Sequence, residues 1–198
     1  MLGPFSVDTY LPSFPAIGRD LSLTPAQLQQ TLSAYFFPFA VMTLFHGTLS
    51  DSFGRRPVIL VSLIVYAMAS VGCVVAHDLA QFLIFRVLQG MSAGTGMVVG
   101  RAIIRDSFEG HAAQRLMSLV TIIFGLAPAI APVLGGWLLG WFGWRAVFIF
   151  LTLYALLVVQ PVVGWIATSA YPAPLPVFGL FELPHIWPDN RALSERLF

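Results

Sequence analysis

GTLSDSFGRRP, residues 47–57, places Gly47, Leu49, Asp51, Gly54, Arg55, Arg56 and Pro57 in a turn only a few residues long. Apolar runs flank it on both sides, roughly 28–49 before and 57–76 after, each about the ~20 residues that a membrane-spanning helix needs. Asp51 falls near the C-terminal end of the first run, where the helix dipole disfavours an anion. It therefore needs a cation or a helix N-terminus nearby, and Arg55 and Arg56 are the nearest cations. Such a charged cluster between two spans can act as a latch that holds one arrangement of helices until a partner shifts. Gly47 is small enough to let two helices approach closely.

Composition agrees with a membrane setting. Hydrophobic residues make up 58% of the 198-residue chain and charged residues only 10%, against roughly 25% charged in a soluble domain. Six apolar segments follow from the spanning length, at roughly 1–17, 28–49, 57–76, 79–100, 115–140 and 144–166. The expected fold is an all-α membrane protein of six transmembrane helices over 1–166. The first helix looks incomplete, since 1–17 is short for a span, contains Asp8 and has no charged leader before it.

Arg placement sets the orientation. The loops after segments two and four hold Arg55, Arg56, Arg101, Arg105 and Arg115, whereas those after one, three and five hold only Arg19 and Arg145. The Arg-rich loops, and the N-terminus with them, are therefore expected in the cytoplasm. Trp137, Trp141 and Trp144 then gather at the outer interface, where indole rings settle. From Pro161 onward the chain carries six of its 14 prolines. A lipid-exposed helix cannot continue through that density of proline, so 167–198 is expected to be a Pro-rich tail with little regular structure. Its abrupt onset suggests a frameshifted or truncated reading frame.

Two ionisable residues fall inside spans, Asp8 and Arg86. Charges there are costly and usually face a cavity or a partner. At 1.5 Å per residue they lie at similar depth, so a pair between them, direct or across a cavity, is expected. Asp8 would be a proton-coupling or cation-recognising carboxylate. Gly90, Gly94, Gly96 and Gly100 form two G-x-x-x-G pairs on segment four, suited to tight helix contact. Pro128 and Pro132 should kink segment five.

Several chemistries have no support. A net charge of +1 without a basic stripe argues against a nucleic-acid partner. Cys73 leaves no intramolecular disulfide possible, and His46, His77 and His111 are scattered near interfaces with no ligand spacing, so no metal is expected. No nucleophilic triad, paired-cysteine motif or phosphate-cradling loop supports an enzyme, a cofactor or an ATP-driven pump.

The spacing G-x-L-x-D-x-x-G-R-R at 47–56 resembles the loop between the second and third helices of the major facilitator superfamily. Segment one, GPFSVDTYLPSFPAI, resembles the run typical of its Bcr/CflA subfamily of drug:proton antiporters. Arg86, Gln89 and Gly90 match the superfamily's R-x-x-q-G motif, and RAIIRD (Arg101, Arg105 and Asp106 among its residues) also resembles Bcr/CflA. GLAPAIAPVLGGWL resembles the antiporter signature: Gly125, Pro132, Gly135 and Gly136 match, while Ala131 stands where that motif has its second glycine. The motif resemblance covers residues 1 to about 160.

The resemblance implies a multidrug exporter of the inner membrane, working by proton antiport on small amphipathic or cationic drugs. It implies two inverted three-helix repeats forming one half of the fold, with a missing C-terminal half as partner. It also implies that Arg86 takes part in proton coupling, and that the bend at Pro128 and Pro132 shapes the cavity and limits leak. A lone half would not be expected to transport. A six-span unit acting as a dimer and a non-transporting membrane scaffold are the alternatives.

Overall fold

The computed structural model describes residues 2–107, 110–159, 175–177 and 181–183. Four helices among them are long and apolar enough to cross a membrane: Pro25–Phe53, Arg55–Val75, Leu79–Asp106 and Ala113–Phe142. Two shorter apolar segments complete six. The first is α1 (Leu2–Tyr10), a 3-10 turn (Leu11–Ser13) and α2 (Phe14–Asp20). Pro12 and Pro15 interrupt it, because neither ring nitrogen can donate to the helical ladder. The last is α8 (Arg145–Tyr154), running into a π turn at Ala155–Val159. Most expected ends lie within about four residues of a helix end, but segment four runs on to Ser107 rather than 100 and segment five starts at Gly110 rather than 115.

Local chemistry explains the ends. Before α3 (Pro25–Phe53), Thr24 and Gln27 form a reciprocal capping box, and Pro25 takes the first helical position. Before α5 (Leu79–Ala93), Asp78 accepts from the backbone of Gln81 at 2.8 Å. Gly54 joins α3 to α4 (Arg55–Val75) with φ 86°, a conformation that a side chain would strain. The glycine of the 47–57 turn that is needed for its backbone is thus Gly54.

Segment four divides at Gly94 into α5 and α6 (Thr95–Ser107). Helix α7 (Gly110–Phe142) continues through both Pro128 and Pro132 without a break in its assignment. α5 packs against α3 and α4, α1 against α7, and α4 against α8. Phe82 and Phe148 join Tyr10 and Trp144 in a buried aromatic cluster at the centre of these contacts.

The tail expectation lies mostly outside the described residues. Within it, Leu175–Val177 (β1) and Phe181–Leu183 (β2) pair antiparallel, Pro176 facing Glu182 in the register.

Glycine positions show where helices touch. A Cβ on Gly90 would run into the backbone carbonyl of Tyr35, and one on Gly94 would lie 2.9 Å from Thr43 Oγ1. Gly96 and Gly100 would meet nothing within 4 Å, so the tight contact expected of all four belongs to Gly90 and Gly94. Gly47 would meet only Val98 Cγ1 at 4.0 Å, an ordinary contact rather than a close approach. His46 is 2% exposed and packs inside the bundle. Trp137 and Trp141 are exposed as expected, whereas Trp144 is buried.

Candidate functional site

Arg86 is fully buried on α5, although a buried charge costs several kcal/mol to desolvate. Among the described residues no carboxylate meets it. Its guanidinium carbon lies 4.3 Å from the ring centre of Tyr10 and 4.6 Å from that of Tyr35. Each desolvated cation–π contact contributes about 2 kcal/mol. Nη1 donates to Gln89 Oε1 at 2.7 Å, and Gln89 Nε2 donates to Ser70 Oγ at the same distance. Nε reaches the Thr31 carbonyl at 3.5 Å, and Nη2 has no hydrogen-bond partner among the described residues.

Neutral hydrogen bonds continue the network across four helices. Tyr10 and Thr31 hydroxyls lie 2.6 Å apart, and Tyr35 donates to the Gly3 carbonyl at 3.0 Å. The Ser6 and Tyr66 hydroxyls are hydrogen-bonded as well. The polar positions therefore tie α1, α3, α4 and α5 into one unit around the guanidinium.

Asp8 lies on the other side of α1. It is half-buried, and among the described residues it makes no hydrogen bond or ion pair. The direct form of the expected Asp8–Arg86 pair is not formed. Successive helical residues turn by about 100°, so residues two apart point nearly opposite ways. Tyr10 faces Arg86, and Asp8 consequently faces away.

The 47–57 turn carries a three-membered cluster. Arg55 Nη2 lies 3.5 Å from Asp51 Oδ1, one helical turn earlier, and also pairs with Asp106 at the end of α6. Arg55 is thus the cation that Asp51 requires, and it binds the second and third segments to the fourth. Asp106, read from sequence only as part of a motif, is the anchor on the far side. Arg105 lies 3.6 Å from Asp106 and is exposed, as are Arg56 and Arg101.

The residues of the antiporter signature separate onto two faces of α7. Ala127, Ala131 and Gly135 are buried, and a Cβ on Gly135 would run into the Thr9 carbonyl of α1. Ala131 therefore keeps a small residue on the face that packs against α1. Gly125, Pro128 and Gly136 are exposed, and Pro132 is half-buried. Gly125 and Gly136 have nothing within 4 Å of a Cβ position.

At the opposite end of the bundle a clamp had no signal in the sequence. Asp20 accepts from Trp144 Nε1 at 3.0 Å and from Arg145 Nη1 at 2.7 Å. Arg145 Nε donates to the last-turn carbonyl of Val74 at 3.1 Å. One arginine thereby joins the ends of α2, α4 and α8. These hydrogen bonds, from Trp144 first and then Arg145, hold the Asp20 carboxyl below the usual carboxylate range. Asp20 lies in one connection and the adjacent Trp144 and Arg145 in another, 124 and 125 positions away, a separation that no spacing would have revealed.

Comparison with known proteins places these features. A family model described as Major Facilitator Superfamily matches residues 1–187, beyond the point near 160 where the motifs end. A protein named Bicyclomycin resistance protein homolog, from Haemophilus influenzae, is 39% identical over 157 residues, covering 79% of this chain and 39% of the relative. Multidrug resistance protein MdtL of Klebsiella pneumoniae is 36% identical over 152 residues, 77% of this chain and 39% of the relative. An uncharacterized MFS-type transporter, YdgK of Bacillus subtilis, is 36% identical over 161 residues, 80% of this chain and 40% of the relative. The chain covers only about two fifths of the length of these curated relatives. The resemblance seen in the motifs, to the superfamily and to its drug-resistance branch, agrees with these matches.

Proposed function

The chain belongs to the Major Facilitator Superfamily, and from that premise we propose that it forms one six-span wall of a proton-coupled drug exporter. It is a multi-pass membrane protein rather than an enzyme. In our reading it lies in the inner membrane with its N-terminus and the 47–57 turn in the cytoplasm, where five Arg side chains gather. The relatives' names, bicyclomycin resistance and multidrug resistance, support small amphipathic or cationic drugs as substrates. A second six-span unit supplies the opposing wall, and the substrate lies between the two near the bilayer midplane.

The observation that carries the proposal is the contrast between Asp8 and Arg86. An arginine is not deprotonated in proteins, and Arg86 is enclosed on every side by the bundle. It cannot exchange a proton with a changing cavity. Asp8 is half-buried and free of protein partners among the described residues, so its carboxyl can take either a proton or a cationic substrate. Asp8 is therefore the coupling carboxylate, and Arg86 positions α1 by holding Tyr10 against it. Arg55, Asp51 and Asp106 latch the cytoplasmic ends in one of the two access states. The exposed face of α7, with Gly125, Pro128 and Gly136, turns toward the cavity.

The test is drug efflux from a pump-deficient host. Co-expression with a complementary six-span half from a relative should restore drug-stimulated proton release, whereas the 198-residue chain by itself should not. Asp8→Asn should abolish that proton release, and Asp8→Glu should keep part of it. Full export by an Asp8→Asn protein would overturn the assignment.

A further inference from the structure

A second cavity lies away from Asp8 and Arg86, on the outer side of the bundle where α3, α4 and α5 meet. Its volume is about 410 Å³, and its lining includes Met42, Leu49, Phe53, Val61, Leu88 and Met91. Val61 is 59% exposed and Phe53 70%, so the cavity is a groove open to the surroundings of the helices and not an enclosed void. It runs along α3 from Met42 to Phe53, about 16 Å at 1.5 Å per residue. That is close to one leaflet of the ~30 Å hydrocarbon core.

Two of the polar residues along it are turned to other uses. Ser62 Oγ accepts from Thr95, and Ser92 Oγ donates to main-chain carbonyls of its own helix. His46 closes the floor, its Nδ1 buried and without a hydrogen-bond partner among the described residues. What the groove's surface offers to an occupant is hydrocarbon. Its rim is different. Phe53 and Pro57 both line it, and between them lie Arg55 and Arg56 at the start of α4. Arg55 is shared between Asp51 and Asp106. Arg56 is exposed, and a guanidinium has five N–H donors, enough to hold a phosphate beside any other contact it makes. Arg101 and Arg105 at the end of α6 are exposed too, so basic side chains outnumber Asp51 and Asp106 at this end of the bundle.

We propose that this groove holds one acyl chain of an anionic phospholipid, with the lipid phosphate at Arg56 on the rim. Length and apolar lining suit the chain, and the basic rim selects the headgroup. A lipid seated there wedges α3 against α4 beside the Arg55 cluster, so its departure frees the turn to move. The proposal does not depend on the transport reading.

Native mass spectrometry of the full chain, released from micelles containing equal phosphatidylglycerol and phosphatidylcholine of identical acyl chains, tests it. One phosphatidylglycerol should stay bound per chain, with phosphatidylcholine retained at least fivefold less. Val61→Trp, which fills the groove from its open side, and Arg56→Gln should each lower retention at least fivefold. Leu126→Trp, on the exposed face of α7, should leave it unchanged. Should Val61→Trp fail to fold, Arg56→Gln and the headgroup comparison still decide. Equal retention of the two lipids, or unchanged phosphatidylglycerol in Arg56→Gln, would overturn the headgroup assignment. A dimer lost in Val61→Trp would make a second copy of the chain the occupant and sink the proposal.

Discussion

The two faces of α1 differ in almost every physical respect. One carries Ser6 and Tyr10 into a closed network, where Arg86 sits between two tyrosine rings and every helix of the group contributes a hydroxyl, amide or carbonyl. The other carries Asp8, half-buried and without a protein partner among the described residues. The closed face spends its polar groups on structure. A charge there is held rigidly and cannot respond to a ligand. The open face leaves its single charge unneutralised, which is unfavourable for stability and useful for binding. In the proposed reading, stability and coupling thus lie on opposite sides of one helix, about half a turn apart.

The largest expected effect comes from breaking the closed face. Arg86→Ala removes the cation, leaves a cavity and strips Gln89 of its donor, and should destabilise the chain by about 3 kcal/mol. Asp8→Asn, on the open face, should change stability by less than about 0.5 kcal/mol. Denaturant unfolding in micelles checks both, and equal losses would remove the distinction.

A pair of adjacent glycines sharpens the comparison. Gly135→Ala would press against the Thr9 carbonyl and should cost about 1–3 kcal/mol, because backbone cannot move aside as a side chain can. Gly136→Ala meets nothing and should stabilise α7 by about 0.5–1 kcal/mol through helix propensity. Melting temperatures of the two single variants should therefore move in opposite directions.

The smallest effect concerns the Asp20 clamp, outside both faces. Its folded carboxyl is held below the unfolded value of about 3.9. The clamp's stabilisation is therefore fully present above about pH 4 and disappears as pH falls through the lower folded value. Thermal melts between pH 7 and pH 5 should hardly change the difference between the parent and Asp20→Asn. Below pH 4 the two curves should converge, and a difference that persists there would rule out this carboxyl as the titrating group.

Much of the fold was legible because lipid imposes a simple length and polarity rule on each helix. Thr24–Gln27, Asp78 and Gly54 set helix ends through local chemistry that the structure made plain. The site was legible only in part. Asp51 needs a cation, and Arg55 supplies it one turn away, a distance that sequence spacing reports. Asp106 lies 51 residues further on and meets Arg55 only because α6 returns to the same end of the bundle. A direct Asp8–Arg86 pair is absent for a related reason: rise along a helix was counted, but rotation about it was not.

The sequence by itself determined that this chain is a set of apolar membrane helices, roughly where they lie, and which superfamily their motifs resemble. Those properties depend on composition and on neighbours within a turn or two. Only the tertiary structure decided which partners the charges find. It seated Arg86 among tyrosines, left Asp8 open, gave Arg55 to two carboxylates and joined Asp20 to Arg145 across 125 positions. Helix azimuth and packing control those distances, and no pattern along the chain encodes them without the neighbouring helices in place.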